Sequence, residues 1–385
     1  MNRFVTTFLL GLIVASGIQA QTLSDETQKL QQVRAFYEAA QQSEREGNWT
    51  EAEKSWRAAL ALAANDARAW TNLGVVLNRQ QRTSEAIETW RRAIAIDPRL
   101  AGAHLNLGLT LVRIGDFVEA VSPLRRAIAI EPANDGARRT LAVALIGTEQ
   151  FREASREIAQ LLARAPRDAG LLEMAAQSFM RQERYSEAAI VLHRRLELPN
   201  ATSQLWSQYG DALDGAARTP EAVAAYRKAV ELDPESTLTR YGLGYLYWKL
   251  SFYDEAEREL TEVLRREPNE ARAAFTLGDL YLTRGEAKRA LPFLEQAAIA
   301  YASEFDTRFA LGRALMLTDS LSRAIEELRA AVQLNDRIAD GHYQLGRALQ
   351  QAGLKEEGRQ ELERARELHE QKRTRESERF RRKLP

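Results

Sequence analysis

Three aromatic residues in the carboxyl-terminal half are spaced so that they fall on one side of a single helix. Tyr241, Tyr245 and Trp248 follow one another at intervals of four and three residues, and residues at this spacing share one face of an α-helix. Large rings also recur every 34 residues, in the column Tyr241, Phe275, Phe309 and Tyr343. Aromatic side chains of this kind are typical anchors of protein recognition. The chemistry that these residues predict is therefore binding.

Charged and apolar residues accompany the rings at the same 34-residue interval. They are Asp279, Leu282, Arg313, Met316, Arg347 and Gln350. An aromatic floor with a few charges has the composition of an anchor pocket. The alternative is that large side chains of neighbouring helices pack on one another and only stiffen the stack. The binding interpretation predicts these partner-binding residues: Tyr241, Tyr245, Trp248, Phe275, Asp279, Phe309, Arg313, Tyr343 and Arg347.

Arginines form a second set in the amino-terminal half. Arg45, Arg79, Arg113 and Arg181 stand at one position of the 34-residue pattern, and Arg139 joins them from another. Guanidinium groups bind carboxylates through two parallel hydrogen bonds. The set therefore predicts a secondary partner-binding surface for acidic groups. The alternative is a row of exposed arginines paired with nearby glutamates.

Residues that could catalyse a reaction or hold a metal are sparse. The chain has 4 histidines and no cysteine, which excludes disulfides, thiolate metal sites and cysteine nucleophiles. His104 and His342 stand where other repeats have Trp70 and Trp206, so we expect them to pack between helices. No phosphate-binding loop and no nucleophile-elbow motif occur. We predict no enzymatic activity, no cofactor and no metal.

The positions of all these residues follow from a pattern that recurs ten times at an unchanging interval of 34 residues, beginning at residue 33. We number the places within each repeat from 1 to 34. Place 8 is always Gly or Ala, and place 20 is Ala except for Gly358. Apolar residues at places 4, 7, 8 and 11 form one helical stripe, and those at places 20, 24 and 27 form another. Each repeat is therefore predicted to be a hairpin of two helices, in a solenoid.

The repeated residues resemble the signature of the tetratricopeptide repeat family. The resemblance is best in residues 67–132 and 203–268, and its first clear copy is Trp70, Leu73, Gly74, Leu77, Ala86, Trp90, Ala93 and Pro98. It implies a right-handed all-α solenoid of ten antiparallel helix hairpins with a charged carboxyl-terminal helix. It also implies a binding scaffold, in which places 2, 5, 9 and 12 of the first helices point into a concave groove. Repeat five departs from the signature, with Arg195 in an Ala column and Pro199 one place early.

The chain is predicted to have four segments. They are a signal peptide (1–20), a linker (21–32), ten repeats (33–372) and a basic charged tail (373–385). The tail is interpreted either as a solvated cap of the solenoid or as an arm for a membrane surface or an acidic partner.

A signal peptide is indicated by Arg3, the apolar run that follows it and small residues before Ala20. Cleavage is expected after Ala20, with Gly17 as the alternative. The run is shorter than the roughly 20 apolar residues that span a bilayer. We therefore predict a periplasmic or secreted bacterial protein without stable membrane insertion after cleavage. The alternative is a protein anchored to the membrane by its signal.

The formal net charge is zero, so no global field attracts nucleic acid, and no nucleic-acid partner is predicted. The first functional hypothesis is a non-catalytic scaffold of the cell envelope or secreted space that holds an extended peptide or a partner domain in its groove. The alternative is a carbohydrate-binding or polysaccharide-export accessory module, since aromatic rings also stack on sugars. Only Asp279, Gln344 and Gln350 flank the rings with groups typical of sugar sites, which favours a protein ligand over a glycan.

Overall fold

The computed structural model describes the backbone of residues 26–382 and the side chains of residues 26–378. The predicted signal peptide and residues 21–25 of the predicted linker lie outside the described residues. Between residues 26 and 382 every regular element is a helix and none is a strand. The predicted all-α fold is confirmed.

The helices follow one another in pairs, separated by short turns. In chain order they are α1 (26–45), α2 (Trp49–Leu62), α3 (Ala67–Arg79), α4 (Thr83–Ile96), α5 (Ala101–Arg113), α6 (Phe117–Ile130), α7 (Asp135–Gly147), α8 (Phe151–Arg164), α9 (Ala169–Met180), α10 (Tyr185–Leu196), α11 (Ser203–Gly215), α12 (Thr219–Leu232), α13 (Thr237–Lys249), α14 (Tyr253–Arg266), α15 (Ala271–Thr283), α16 (Ala287–Ala300), α17 (Phe305–Leu317), α18 (Leu321–Leu334), α19 (Ala339–Gln351) and α20 (Lys355–Arg382).

The helix boundaries keep the predicted register. From the second repeat on, each first helix begins at place 1 and each second helix at place 17, which confirms a repeat solenoid of helical hairpins. Residues 26–32 belong to α1, although the sequence assigned them to a linker. The last helix runs for 28 residues into the predicted tail, because neither glycine nor proline interrupts it after Gly358.

The described chain consists of two compact units, one ending at Val191 and one beginning at Leu192. In the amino-terminal unit, α2 to α9 pack each on the next, and the first helices α3, α5 and α7 touch in turn. In the carboxyl-terminal unit, α11 to α20 pack each on the next, and the first helices α11, α13, α15, α17 and α19 touch in turn. We call the surface of these five first helices the carboxyl-terminal first-helix face.

In the seven hairpins that have glycine at place 8, this residue lies against the large residue at place 24. A Cβ atom built on Gly312 would come within 2.6 Å of Leu328 Cγ, and one on Gly278 within 2.7 Å of Leu294 Cγ. Real Cβ atoms do not approach other side chains so closely. Glycine at place 8 therefore sets how closely the two helices approach, and the place-24 side chains are buried as a result, except for the half-buried Leu362 in the last repeat.

The turn between the two helices of a hairpin has the same conformation in all ten repeats. The residue at place 15 has a positive φ every time, between 57° and 86°. In four repeats it is glycine, for which this region carries no steric penalty. In the other six it is a residue with a Cβ atom, such as Ala217 or Ser251, which indicates that helix packing overrides the local preference.

Repeat five is the least regular part of the described chain. Its helices α9 and α10 have 12 residues each, and α10 ends two residues earlier than the second helices of most repeats. Arg195 stands half-buried in the place-27 column and donates a hydrogen bond to the Pro199 carbonyl oxygen at 3.2 Å. Asn200 adopts a positive φ of 63°. Asn200 also occupies place 32, where proline ends the second helix in the better-matched repeats. The segment after α10 therefore lacks this helix-terminating proline.

The first prediction concerns place 8. We expect Gly108→Ala to lower the free energy of unfolding by about 1 to 3 kcal/mol, the usual effect of overpacking, because the methyl group would enter the Leu124 side chain. Gly102→Ala on the same helix is the matched control, since nothing lies within 4 Å of its added methyl group and alanine is the better helix former. Urea unfolding and hydrogen exchange of α5 and α6 measure both variants. Equal stabilities would contradict the role assigned to place 8.

The second prediction concerns the segment from Leu198 to Thr202. We expect limited proteolysis to cut first in this segment, because its residues are mostly exposed and it follows a shortened helix. Mass spectrometry of early fragments locates the cut. The matched control is the corresponding segment 232–236, which keeps Pro234. First cleavage at 232–236, or at another repeat junction, would show that repeat five is not the weakest point.

Candidate functional site

Tyr241, Tyr245 and Trp248 lie side by side on α13, and we call them the aromatic cluster. The ring centroids of Tyr241 and Tyr245 are 6.3 Å apart, and those of Tyr245 and Trp248 are 5.5 Å apart. Tyr245 is 37% exposed, while Tyr241 and Trp248 are half-buried. The helical spacing places these rings together on the carboxyl-terminal first-helix face.

The aromatic cluster is tied to the next first helix by a polar contact. The Trp248 indole N–H donates a hydrogen bond to Asp279 Oδ2 at 3.1 Å, joining α13 to α15. Burial raises the pKa of the Asp279 carboxyl above its ordinary value, while this hydrogen bond and the positive charge of Arg313 act in the opposite direction. Arg313 also lies over the Phe309 ring, 5.7 Å from its centroid. These side chains connect three neighbouring first helices, α13, α15 and α17.

The remaining predicted rings differ in how much they are covered. Phe309 stacks on Phe305 at 5.3 Å and packs against the core formed by α18 and α19, so it contributes to lateral packing. Phe275 is half-buried. Tyr343 is 45% exposed, and the Arg347 guanidinium lies 6.0 Å from its ring centroid. The face therefore offers its most open rings at Tyr245 and Tyr343.

A cleft of about 630 Å³ opens beside the aromatic cluster, between α11 and α13, and we call it the acidic cleft. Tyr241 and Tyr245 line one side of it, and Ser207 and Asp211 of α11 line the other. Neither of these two polar residues was predicted from the sequence. They stand 34 residues before Tyr241 and Tyr245, so the same repeat register would have found them.

The floor of the acidic cleft is shaped by a buried tyrosine. The Tyr226 hydroxyl donates a hydrogen bond of 2.5 Å to Asp211 Oδ1. Gly242 leaves the space that the Tyr226 ring occupies, since a Cβ atom there would enter the ring. Arg272 lies over the Tyr241 ring, 4.8 Å from its centroid, at the border of the cleft.

Two of the predicted arginines line a cleft of about 380 Å³ in the amino-terminal unit, which we call the arginine cleft. Arg79 lies 5.9 Å from the Trp49 ring centroid, and Arg113 donates a hydrogen bond to Asn78 Oδ1. Val75, Asn106 and Leu109 are among the other residues that line it. No acidic side chain is found among the described lining residues, so the cleft presents positive charge.

The other three predicted arginines are placed differently. Arg139 forms an ion pair with Asp168 at 2.5 Å. Arg181 pairs with Glu149 at 3.2 Å, and its guanidinium lies 5.5 Å from the Phe151 ring centroid. Arg45 is exposed at the end of α1. Arg139 and Arg181 therefore fit the alternative of arginines paired with nearby carboxylates.

The buried histidines take part in packing. His104 Nε2 contacts the Pro98 carbonyl oxygen at 3.1 Å, and burial lowers the pKa of His104. His342 Nδ1 contacts Glu361 Oε2 at 2.6 Å. In the described part of the chain, no three His, Asp or Glu side chains are grouped as metal ligands would be. None of the helices between residues 26 and 382 combines the length and apolar character needed to cross a bilayer.

Family models match both units of the chain. Models described as "Tetratricopeptide repeat" match residues 37–101, 80–135, 111–178 and 241–305, and a model described as "TPR repeat" matches residues 218–251. Together the matches cover more than half of the sequence. The chain belongs to the tetratricopeptide repeat family. Tetratricopeptide repeats support the general role of a protein–protein interaction scaffold.

Similar proteins include other tetratricopeptide repeat chains. A tetratricopeptide repeat protein from Parabacteroides merdae is 18% identical, with a TM-score of 0.49 over 65% of this chain and 98% of that one. MamA from Desulfovibrio magneticus RS-1 is 21% identical, with a TM-score of 0.42 over 45% of this chain and 98% of that one. The BBSome complex member BBS4 of Bos taurus is 34% identical over 80 residues. This segment makes up 21% of this chain and only 15% of BBS4.

The third prediction separates packing from exposure on the carboxyl-terminal first-helix face. We expect Phe309→Ala to destabilise α17 and α19 by about 2 kcal/mol or more, because the ring packs on the core beneath it. Tyr245→Ala should change stability by less, about 1 kcal/mol at most, because it loses mainly contacts between rings. Local hydrogen exchange measures both effects, in α17 and α19 for Phe309→Ala and in α13 for Tyr245→Ala. A larger loss of protection for Tyr245→Ala would assign its ring to packing.

Proposed function

We propose that this protein is a non-catalytic scaffold that holds an extended peptide or a partner domain on its carboxyl-terminal first-helix face. The observation that carries the proposal is the aromatic cluster, whose central ring, Tyr245, is exposed beside the acidic cleft. Aromatic residues on the rim of a cleft bury a large area at a small loss of side-chain entropy, and they dominate many interfaces.

The charges on the face favour a protein ligand. Asp211, Arg313 and Arg347 stand on different first helices, separated by rings. Alternating charge and apolar surface is complementary to a polypeptide with both kinds of side chain. The five first helices offer a continuous row of such positions, which suits a chain that lies across several repeats.

The arginine cleft of the amino-terminal unit supports a second contact. Arg79 and Arg113 both line it, and arginine is well suited to bind carboxylates. We propose that acidic groups of a protein partner bind there.

We also propose that the protein acts in the periplasm or outside a bacterial cell. The support is the sequence of residues 1–20, in which a positively charged residue is followed by an apolar run and then by small residues. The alternative, a protein held to the membrane by its signal, would present the same faces to the same compartment.

A carbohydrate-binding or polysaccharide-export role is the second candidate. It is favoured by Gln204, Ser207 and Gln208, which line the acidic cleft opposite the tyrosines. Amide and hydroxyl groups next to aromatic rings are suited to sugars. A glycan array with the purified protein separates the two candidates, because the scaffold proposal predicts no binding to glycans.

The fourth prediction tests the scaffold proposal in cells. A photoreactive amino acid in place of Leu238, which is 65% exposed at the acidic cleft, should crosslink to a specific protein. Adding Tyr245→Ala should weaken binding of that protein roughly thirtyfold, since anchor residues contribute about 2 kcal/mol or more. The crosslink should then disappear, as mass spectrometry can show.

The matched control places the photoreactive residue at Ile299, which is 84% exposed on the second helix α16. It should not capture the same protein. Equal capture from both positions, or capture that does not depend on Tyr245, would contradict the proposed binding face.

A further inference from the structure

The two carboxylates that line the acidic cleft on α11 differ in their partners. Asp214 accepts hydrogen bonds from Lys249 Nζ at 2.7 and 2.8 Å and from the Thr219 hydroxyl at 2.6 Å. Its charge is therefore compensated within the protein. Asp211 has only the neutral Tyr226 hydroxyl as a hydrogen-bond donor among the described side chains.

Asp211 is open to the cleft but is placed in poor surroundings for a lone negative charge. Desolvation by the walls of the cleft raises the pKa of its carboxyl, the Tyr226 hydrogen bond acts in the opposite direction, and the negative charge of Asp214 raises the pKa further. Among the described residues, no Lys, Arg or His side chain forms an ion pair with Asp211. Arg272 is the cation at the border of the cleft, and it pairs with Glu270 at 2.7 Å. A positive charge supplied from outside would therefore be stabilised at Asp211.

The walls of the acidic cleft suit an aliphatic chain that carries such a charge. Leu238 is 65% exposed and lines the cleft together with Tyr241 and Tyr245. Long cationic side chains place their methylene groups on apolar surface and keep the charge at a polar end. The face of a tyrosine ring also attracts a cation.

We propose that the acidic cleft is a specificity subsite that accepts a lysine or arginine side chain of the bound polypeptide. The ammonium or guanidinium group pairs with Asp211, and its methylene chain lies along Leu238 and the Tyr241 and Tyr245 rings. This inference rests on the proposed scaffold function and adds to it the chemistry of one partner residue. A neutral sugar would leave the Asp211 charge uncompensated, so the observations favour the basic side chain.

The experiment uses a phage-displayed library of random nonapeptides, selected on the immobilised full chain. Peptides selected by the wild-type protein should share a lysine or arginine next to an apolar residue. Their affinity, measured by fluorescence anisotropy, should fall about tenfold to a hundredfold for Asp211→Asn, because a hydrogen-bonded charge pair is lost. Asparagine still offers Tyr226 an acceptor oxygen, so this variant is expected to fold. Asp319→Asn, which removes one negative charge from an exposed turn, should bind like the wild type.

A second measurement isolates the charge pair. The basic residue of a selected peptide is replaced by norleucine, which keeps the aliphatic chain and removes the charge. Norleucine should weaken binding to the wild-type protein but not to Asp211→Asn, and added salt should have the same selective effect.

The outcomes distinguish the two proposals. Peptides that depend on Tyr245 but show no basic residue, or that bind Asp211→Asn unchanged, would overturn the subsite and leave the scaffold function standing. Failure of the wild-type protein to select any peptide would overturn the subsite and the extended-peptide form of the scaffold proposal, while capture of a partner domain by the crosslinking experiment would still support the scaffold. Glycan binding that depends on Tyr245 and Asp211, without peptide binding, would overturn both in favour of the carbohydrate role.

Discussion

The contact between the small residue at place 8 and the large residue at place 24 holds the two helices of each hairpin together. Glycine at place 8 lets the side chain at place 24 rest on the first helix, as Leu328 does on Gly312. The side chain at place 24 can be as large as Trp56 or Trp90, and both are almost completely buried. Because the chain has no cysteine, packing of this kind has to stabilise the solenoid without disulfides.

This arrangement leaves one face of each first helix outside the packing within its own hairpin. Places 7, 8 and 11 pack inside the hairpin, whereas places 5 and 9 can change from repeat to repeat. Repeat six has Ser207 and Asp211 there, and repeat seven has Tyr241 and Tyr245. A polar wall and an aromatic wall thus face each other across one cleft. Recognition surfaces can differ between neighbouring repeats while the frame stays the same.

The fold could be predicted from the sequence because its main contact lies within one repeat and returns at a fixed interval. The repeated columns of apolar and small residues, including the one that contains Gly74 and Gly108, were sufficient to place the helix pairs. Contacts between repeats, and polar contacts within one repeat, were harder to predict. Nothing in the spacing indicates that Phe309 packs on the core beneath α19 or that Tyr226 binds Asp211. The repeat register gives the place of Asp211, but repeat six has polar residues where repeat seven has Tyr241 and Tyr245, so its sequence carries no aromatic signal.

The uniform turn at place 15 has a consequence for any ligand that crosses the hairpins. Since no residue is inserted or lost in any turn, the first helices of each unit follow at a nearly constant step. Packed helices lie about 8 to 10 Å apart, and an extended polypeptide advances about 3.3 Å per residue. A ligand in that form would meet a new helix at about every third residue. Its sequence would then carry a three-residue rhythm, a signature that can be sought in candidate ligands before any complex has been isolated.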